Sequence, residues 1–445
     1  MRILLTVHQF FPQYASGTEV LTYSVAKELI ARGHDVRILT GYPAADELLE
    51  VHRFDEYDFD GIAVYRFHHS YTPMAGQNSL IELSYDNKLA ASYFRQILKS
   101  FKPEIVHFFH LNRLGTGLIE CAVEARIPAF MTPTDFWAIC NSSQLVLCDG
   151  QVCKGPSAYS GNCVKHLAQQ TQSGLVAKVA EWIPVSWVDA IAHLTQLGAL
   201  PAYPQREEIK AVSSRIHINV ARLNQLNKIV APNQFMTGLL IRYGVSADRI
   251  IESAYGINVG LEKLPRLAPR QPIRIGFIGT LAKHKGCHIL IDAFKELPPD
   301  LATLKIFGNP ADFPDYSMEL KRLAGCDRNI EFCGVFPNSK ISAVLEDLDV
   351  LVVPSLWYEN TPLVVYSAQA AKCVVVASNF PGISEVICND ENGLLFSPGN
   401  RIELAKQLLR LVEEPGLFNR LSCRARKPKS TANYVNELLA VWGET

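Results

Sequence analysis

At 445 residues the chain is too long for one ordinary hydrophobic core and suits two domains of roughly 200 residues each. Its 48% apolar and 20% charged residues, balanced to a net charge of -1, exclude a disordered chain and give no basic surplus for nucleic acid. Met1 to His8 turns polar too soon for a signal peptide, and no apolar run reaches the roughly 18 residues of a membrane span, so the expected location is the cytoplasm.

In chain order, residues 2–7 form a short apolar strand, Ser16-Gly17-Thr18 a turn, and an amphipathic helix follows to about Arg32, where Gly33 stops it. Residues 36–40 complete a strand-helix-strand unit. Further strands are expected at 61–67, 104–108, 129–132 and 228–231, alternating with helices at 84–101 and 115–125, the pattern of a parallel sheet covered on both faces. Pro103 and Pro128 stand just ahead of strands, where a helix must already have ended.

The alternation fails between about 134 and 225, which reads as an insertion: a Cys, Gly and Ser-rich loop, then a partly apolar helical region with Trp182, Ile183 and Trp187. Those apolar residues suit packing within the insertion, with a membrane surface or a lipid-linked acceptor as the rival use. Cys140, Cys148, Cys153 and Cys163 lack the tight Cys-x-x-Cys pair of structural zinc sites and read as reduced loop thiols.

A proline-rich stretch, Leu264 to Pro272, reads as the hinge between the halves. Beyond it, strands near 273–278, 303–307, 330–333, 350–353, 374–377 and 394–396 alternate with helices, a second doubly wound lobe. The expected division is therefore α/β, with a first domain at 1–265 carrying the 134–225 insertion, a second at 266–428, and a terminal helix at 429–445 crossing back to the first.

Ligands of such sheets bind beyond the carboxyl ends of the strands, where helix N-termini present free amides. Three turns of the second lobe carry suitable residues. Gly279-Thr280-Leu281-Ala282-Lys283-His284-Lys285-Gly286 offers two lysines, of which Lys285, next to Gly286, is the better phosphate partner. Trp357-Tyr358-Glu359-Asn360-Thr361-Pro362 reads as a helix start with Thr361 as cap and Pro362 first in the helix, so that the amides of Leu363 and Val364 face an anion. Glu359 beside them would repel a phosphate unless it met hydroxyl donors, which together suggest a sugar phosphate. Ser378 to Glu385 is a third such turn, where Gly382 permits close backbone approach. In the first lobe Gly17 can bring backbone near a ligand, whereas His107 and His110, after a strand, are more often structural than catalytic.

These segments, in this order and spacing, resemble the retaining glycosyltransferases of family 4 over nearly the whole chain. Ser16-Gly17-Thr18-Glu19, Pro103-Glu104-Ile105-Val106-His107, Lys228 to Asn233, Gly279 to Gly286, Trp357 to Pro362 and Asn392-Gly393-Leu394 carry the likeness. The resemblance implies two facing Rossmann-like domains of the GT-B type with a cleft between them, a nucleotide-sugar donor, a glycan or lipid-linked acceptor and no metal cofactor. It also implies a role in polysaccharide biosynthesis and a peripheral contact with the inner face of the membrane. Lys285 would hold the donor diphosphate and Glu359 the donor-sugar hydroxyls. Gly17, Gly279, Thr280, Asn360, Thr361, Pro362, Leu363, Val364, Ser367 and Gly382 would line the donor site, and His107, Thr134 and Asp135 the acceptor side. Three positions depart from the family pattern: Ser367 stands where a second glutamate is usual, Thr280 where a basic residue is, and Thr134 where many relatives carry histidine. Those departures keep a second reading open, a weak or inactive glycan-binding relative of the same fold.

Overall fold

A computed structural model describes residues 1–44, 48–171, 182–258 and 263–443. The chain forms two compact units, each with its own largely parallel sheet and helices, and both are Rossmann-like.

The first unit comprises Met1–Asp149, Cys153–Ala254 and Thr431–Thr445. Its strands are β1 (Arg2–Val7), β2 (Asp35–Pro43), β3 (Phe54–Phe59), β4 (Ile62–His69), β5 (Ile105–Phe108), β6 (Ala129–Met131), β7 (Lys228–Ala231) and β8 (Ile250–Glu252). They lie in the order β3-β4-β2-β1-β5-β6-β7-β8, all parallel except β3, which pairs antiparallel with β4. Central β1 is buried on both faces, from Ile3 through Val7, as a strand between two helical layers must be. The helix Thr431–Gly443 belongs to this unit: the Tyr434 hydroxyl lies 3.1 Å from that of Thr132, and Trp442 Nε1 donates to His107 Nδ1 at 3.2 Å.

Strands β3 and β8 and the division of one helix differ from the sequence reading. Strand β3 escaped it because its apolar residues alternate with Asp55, Glu56 and Asp58, charges that suit an exposed sheet edge. The hairpin turn behind it, Asp60-Gly61, has both residues at positive φ, 50° and 75°, the conformation Asp-Gly favours. The helix expected at 84–101 is two, Leu80–Tyr85 and Lys88–Phe101, because Asn87 Oδ1 accepts from the Ala90 amide at 3.0 Å and restarts the helix.

The second unit holds Tyr255–Ser430 with Gly150–Val152. Strands β9 (Ile273–Ile278), β10 (Ala302–Phe307), β11 (Ile330–Gly334), β12 (Val350–Val353), β13 (Val374–Ser378) and β14 (Leu394–Phe396) are all parallel, in the order β11-β10-β9-β12-β13-β14. β10 and β11 lie outward of β9 on one side, and β13 and β14 outward of β12 on the other, so the winding reverses between β9 and β12. The proline-rich stretch read as a hinge is anchored on this unit. Arg266 donates to the carbonyls of Leu345 at 2.8 Å, Ala371 at 3.2 Å and Leu348, and Asn419 donates to the Arg266 carbonyl at 2.9 Å.

Candidate functional site

A reversal of winding leaves a crevice beyond the strand ends, because the two connections leave on opposite faces of the sheet. In the second unit the connections leaving β9 and β12 meet at that point. A one-turn 3-10 helix, Lys283–Lys285, follows β9, and Gly286 ends it at φ 72°. A Cβ on Gly286 would stand 1.9 Å from the Pro354 carbonyl oxygen after β12, so glycine is what lets the two turns close on each other.

That closeness brings Lys285 Nζ to 2.7 Å from Glu359 Oε1. The same oxygen accepts from Ser355 Oγ at 2.6 Å and from Trp357 Nε1 at 2.8 Å, while the Lys285 ammonium also lies 4.7 Å from the centre of the Trp357 ring. Glu359 is only 5% exposed. Burial alone would raise its pKa, but Lys285, Ser355 and Trp357 outweigh it and hold the carboxylate below its ordinary value. The His284 ring lies tilted 4.7 Å from that of Trp357, and burial, helped by Lys285, lowers its pKa to about 4. Ser355 and the indole of Trp357 were not assigned roles from sequence, since a hydroxyl and an indole become meaningful only once a carboxylate faces them.

The turn after Glu359 differs from expectation in its last residues. Thr361 is not the helix cap; it takes φ 89°, unusual for a β-branched residue, and Pro362 occupies the cap position of the helix Leu363–Ala370. Leu363 and Val364 thus open the helix, with first-turn amides that make no intrahelical bond. Asn360 is drawn the other way, its side chain donating to the Tyr255 hydroxyl at 3.1 Å. Gly382, after β13, backs the turn: a Cβ there would stand 1.6 Å from the Glu359 carbonyl oxygen and 3.2 Å from the Thr361 nitrogen. Ser367 donates its hydroxyl to the Leu363 carbonyl of its own helix at 3.1 Å. Gly279 and Thr280 lie half-buried at the end of β9, and a Cβ on Gly279 would meet only the Phe277 ring, at 3.6 Å.

The first unit repeats the reversal between β1 and β5. Gly17 is the exposed first residue of the helix Gly17–Ala31 rather than the middle of a turn. His107 is fully buried within β5, 2.9 Å from the Thr132 hydroxyl, and faces the core rather than the strand end. Thr134 donates its hydroxyl to the Phe109 carbonyl at 3.2 Å. Like Thr134, Asp135 is partly open, its side chain 28% exposed. It is held from two sides, by His110 Nε2 at 2.8 Å and the Trp137 amide at 2.7 Å. Because the Asn112 amide donates to His110 Nδ1 at 3.1 Å, the ring proton sits on Nε2 and points at Asp135.

Two residues without an assigned role complete this cluster. The His8 ring lies tilted 4.0 Å from that of His110, and its Nε2 is 3.8 Å from Glu19 Oε1. The signal that could have found them is position, since His8 directly follows β1 and Glu19 stands in the first turn of the next helix.

In the insertion, Trp182 and Trp187 do not pack inside. They are 86% and 69% exposed, because the helix Val185–Gln196 turns only Val188, Ala192 and Thr195 fully inward. Its one carboxylate, Asp189, caps the neighbouring loop through the Ser157 hydroxyl at 2.8 Å and the Gly161 amide at 2.7 Å. Glu181, the acidic residue just before Trp182, falls outside the described residues. Cys140, Cys148, Cys153 and Cys163 are free thiols. Among the described residues no group of three His, Cys, Asp or Glu side chains is placed to hold a metal ion, and no helix is long and apolar enough to cross a membrane.

Comparison with known proteins follows the same division. Residues 263–428 match the family model for glycosyl transferases group 1, and residues 15–146 that for glycosyltransferase family 4. A D-inositol 3-phosphate glycosyltransferase of Corynebacterium aurimucosum is 28% identical over 204 residues, 42% of this chain and 48% of that protein. The amylovoran biosynthesis glycosyltransferase AmsK of Erwinia amylovora is 29% identical over 219 residues, 45% of this chain and 53% of that one. The chain thus spans about half the length of these curated relatives. The crystal structure of Anabaena HepE in complex with UDP-glucose superposes over 99% of both chains with a TM-score of 0.61 at 17% identity, a likeness of fold. One model covers the stretch with Lys285 and Glu359 and the other the stretch with Gly17 and Asp135, so the chain carries a glycosyl transferases group 1 domain and a glycosyltransferase family 4 domain, on a fold like that of HepE, of the GT-B type.

Proposed function

We propose that the chain moves a sugar from a nucleotide-diphosphate sugar to a glycan or lipid-linked acceptor with retention of configuration. The observation that carries this reading is the Lys285–Glu359 pair, closed on itself beside the start of the helix Leu363–Ala370. An incoming diphosphate competes with Glu359 for the Lys285 ammonium, and the amides of Leu363 and Val364 take its oxygens. Glu359, still held by Ser355 and Trp357, is then free to accept bonds from hydroxyls of the donor sugar. The bond from the sugar's anomeric carbon to the phosphate oxygen breaks, the acceptor oxygen bonds to that carbon, and its proton passes to the leaving diphosphate. Stabilising that leaving group is the protein's main catalytic task, and Lys285 with the helix amides supplies it without a resident metal. Ser367 is turned onto its own helix, so ribose recognition falls to other groups.

The UDP-glucose held by HepE makes that compound the first donor to try. With it, Glu359→Ala is expected to lower transfer or donor hydrolysis by about a hundredfold or more while the protein stays folded; undiminished turnover would remove Glu359 from the site.

The same reading includes a peripheral contact with a lipid surface. Trp182, Val185, Trp187, Ile191, Leu194 and Leu197 are all exposed and carry no charge, and tryptophan with aliphatic neighbours suits the headgroup boundary. Co-sedimentation with phospholipid vesicles should fall in Trp187→Ser with stability unchanged; equal sedimentation of the two proteins would dismiss the contact.

A further inference from the structure

Three donors meet on a single oxygen of Glu359, and they are not alike. Lys285 brings a charge, whereas Ser355 Oγ and Trp357 Nε1 are neutral and belong to the same turn as the carboxylate, four and two residues before it. That turn is fixed from outside: the Leu356 amide donates to the His284 carbonyl at 2.8 Å, which ties it to the 3-10 helix that carries Lys285.

Trp357 touches both members of the pair. Its indole N–H donates to Glu359 while Lys285 Nζ lies over its ring. The His284 ring flanks the same indole and stays uncharged at neutral pH, so it does not contest the place of the ammonium. An ammonium is drawn to an indole face less strongly than to a carboxylate or a phosphate. The ring therefore keeps Lys285 at hand without holding it back.

The neutral donors matter most once the ammonium has left. A carboxylate only 5% exposed that lost its cation and kept no other partner would take up a proton. A protonated Glu359 offers sugar hydroxyls a weaker acceptor and points a proton of its own at them. Two neutral donors built into the turn itself prevent that change, because they stay when Lys285 goes.

We propose that Trp357 and Ser355 are positioning residues for the transfer: they hold Glu359 in place as an acceptor while Lys285 passes from it to the donor diphosphate. The proposal rests on the reading of the chain as a transferase and deepens it, since it assigns the step in which the carboxylate changes partners.

The test uses the full chain with Trp357→Phe, which keeps an aromatic face for Lys285 and removes the N–H, and Ser355→Ala, which removes the hydroxyl alone. Without donor, the Glu359 carboxyl is titrated by carbon-13 NMR, its signal identified by its absence in Glu359→Gln. The carboxylate is held below its ordinary pKa, and each variant takes away a bond to the ionised form, so the midpoint should rise in both. With UDP-glucose, transfer or donor hydrolysis should fall by about tenfold in each, and the acid limb of kcat/KM should move to higher pH together with the midpoint. A merely structural loss would lower the whole profile and leave that limb where it was. Midpoints unchanged in both variants, or a limb that stays at its wild-type pH, would overturn the proposal. If Trp357→Phe does not fold, Ser355→Ala carries the same two readings. If UDP-glucose failed to stabilise the wild type while the midpoints still rose, the donor reading would fail and the positioning of Glu359 would stand.

Discussion

Both sheets place ionisable groups where their winding reverses, but they leave those groups in opposite states. In the second unit one glutamate oxygen gathers an ammonium, a hydroxyl and an indole within 2.8 Å, and Glu359 is held below its ordinary pKa. In the first unit Glu19 is buried without a well-formed bond, and its pKa is raised. A satisfied carboxylate is a rigid part whose partner can be exchanged for a stronger one; an unsatisfied one waits for a partner. On the proposed reading, that contrast fits an anionic donor that displaces a lysine in the second unit.

The contrast breaks most sharply at Lys285. Lys285→Ala should leave Glu359 buried without a cation, lowering stability by about 3 kcal/mol in denaturant unfolding. Removing both partners should recover much of that stability without recovering transfer. Full stability in the single variant would mean that the pair is no more than a surface contact.

Where the two units agree, pH should show it. His69 and His284 both have pKa values lowered to about 4 from an ordinary 6.5. The unfolded chain binds their protons first, so stability is present above about pH 6.5 and is lost as pH falls toward 4, roughly 2 kcal/mol for each by pH 5. His69→Gln and His284→Gln should each flatten that slope in melting curves between pH 7 and 5; a profile unchanged in both variants would show that the rings titrate normally.

A smaller effect separates position from charge. Gly382→Ala alters no ionisable group, yet its Cβ must push the Glu359 and Thr361 backbone, which should cost about 2 kcal/mol. Donor affinity should drop with it, measured by calorimetry; unchanged affinity would show that the turn can shift without moving Glu359.

The sequence made the second unit's strands readable because each is a short apolar run bounded by turn residues, and β9, β12 and β14 fall where that pattern places them. The β1 and β7 runs were equally plain. Edge strand β3 was hidden by its charges, and the break at Asn87 by an apolar period that continues through it. At the candidate site, Lys285 and Glu359 were visible as residue types at turn positions, but that they meet depends on Gly286 fitting against Pro354, a tertiary fact. Glu19 and His8 were less legible still, since a glutamate in the first turn of a helix has an ordinary explanation in the helix dipole. Only its complete burial removes that explanation. The tryptophans of the insertion misled in the other direction, because composition cannot tell an inner helix face from an outer one when the inner face is small.

The most direct test is the thermal shift produced by UDP-glucose in the wild type, Lys285→Ala and Glu359→Ala, each first checked for folding. Binding to the folded state raises the melting temperature by an amount that grows with the logarithm of affinity. The account predicts a rise of several degrees at saturating ligand in the wild type and little or none in either variant. An equal rise in folded Lys285→Ala would contradict the claim that the donor diphosphate is held where Lys285 meets Glu359.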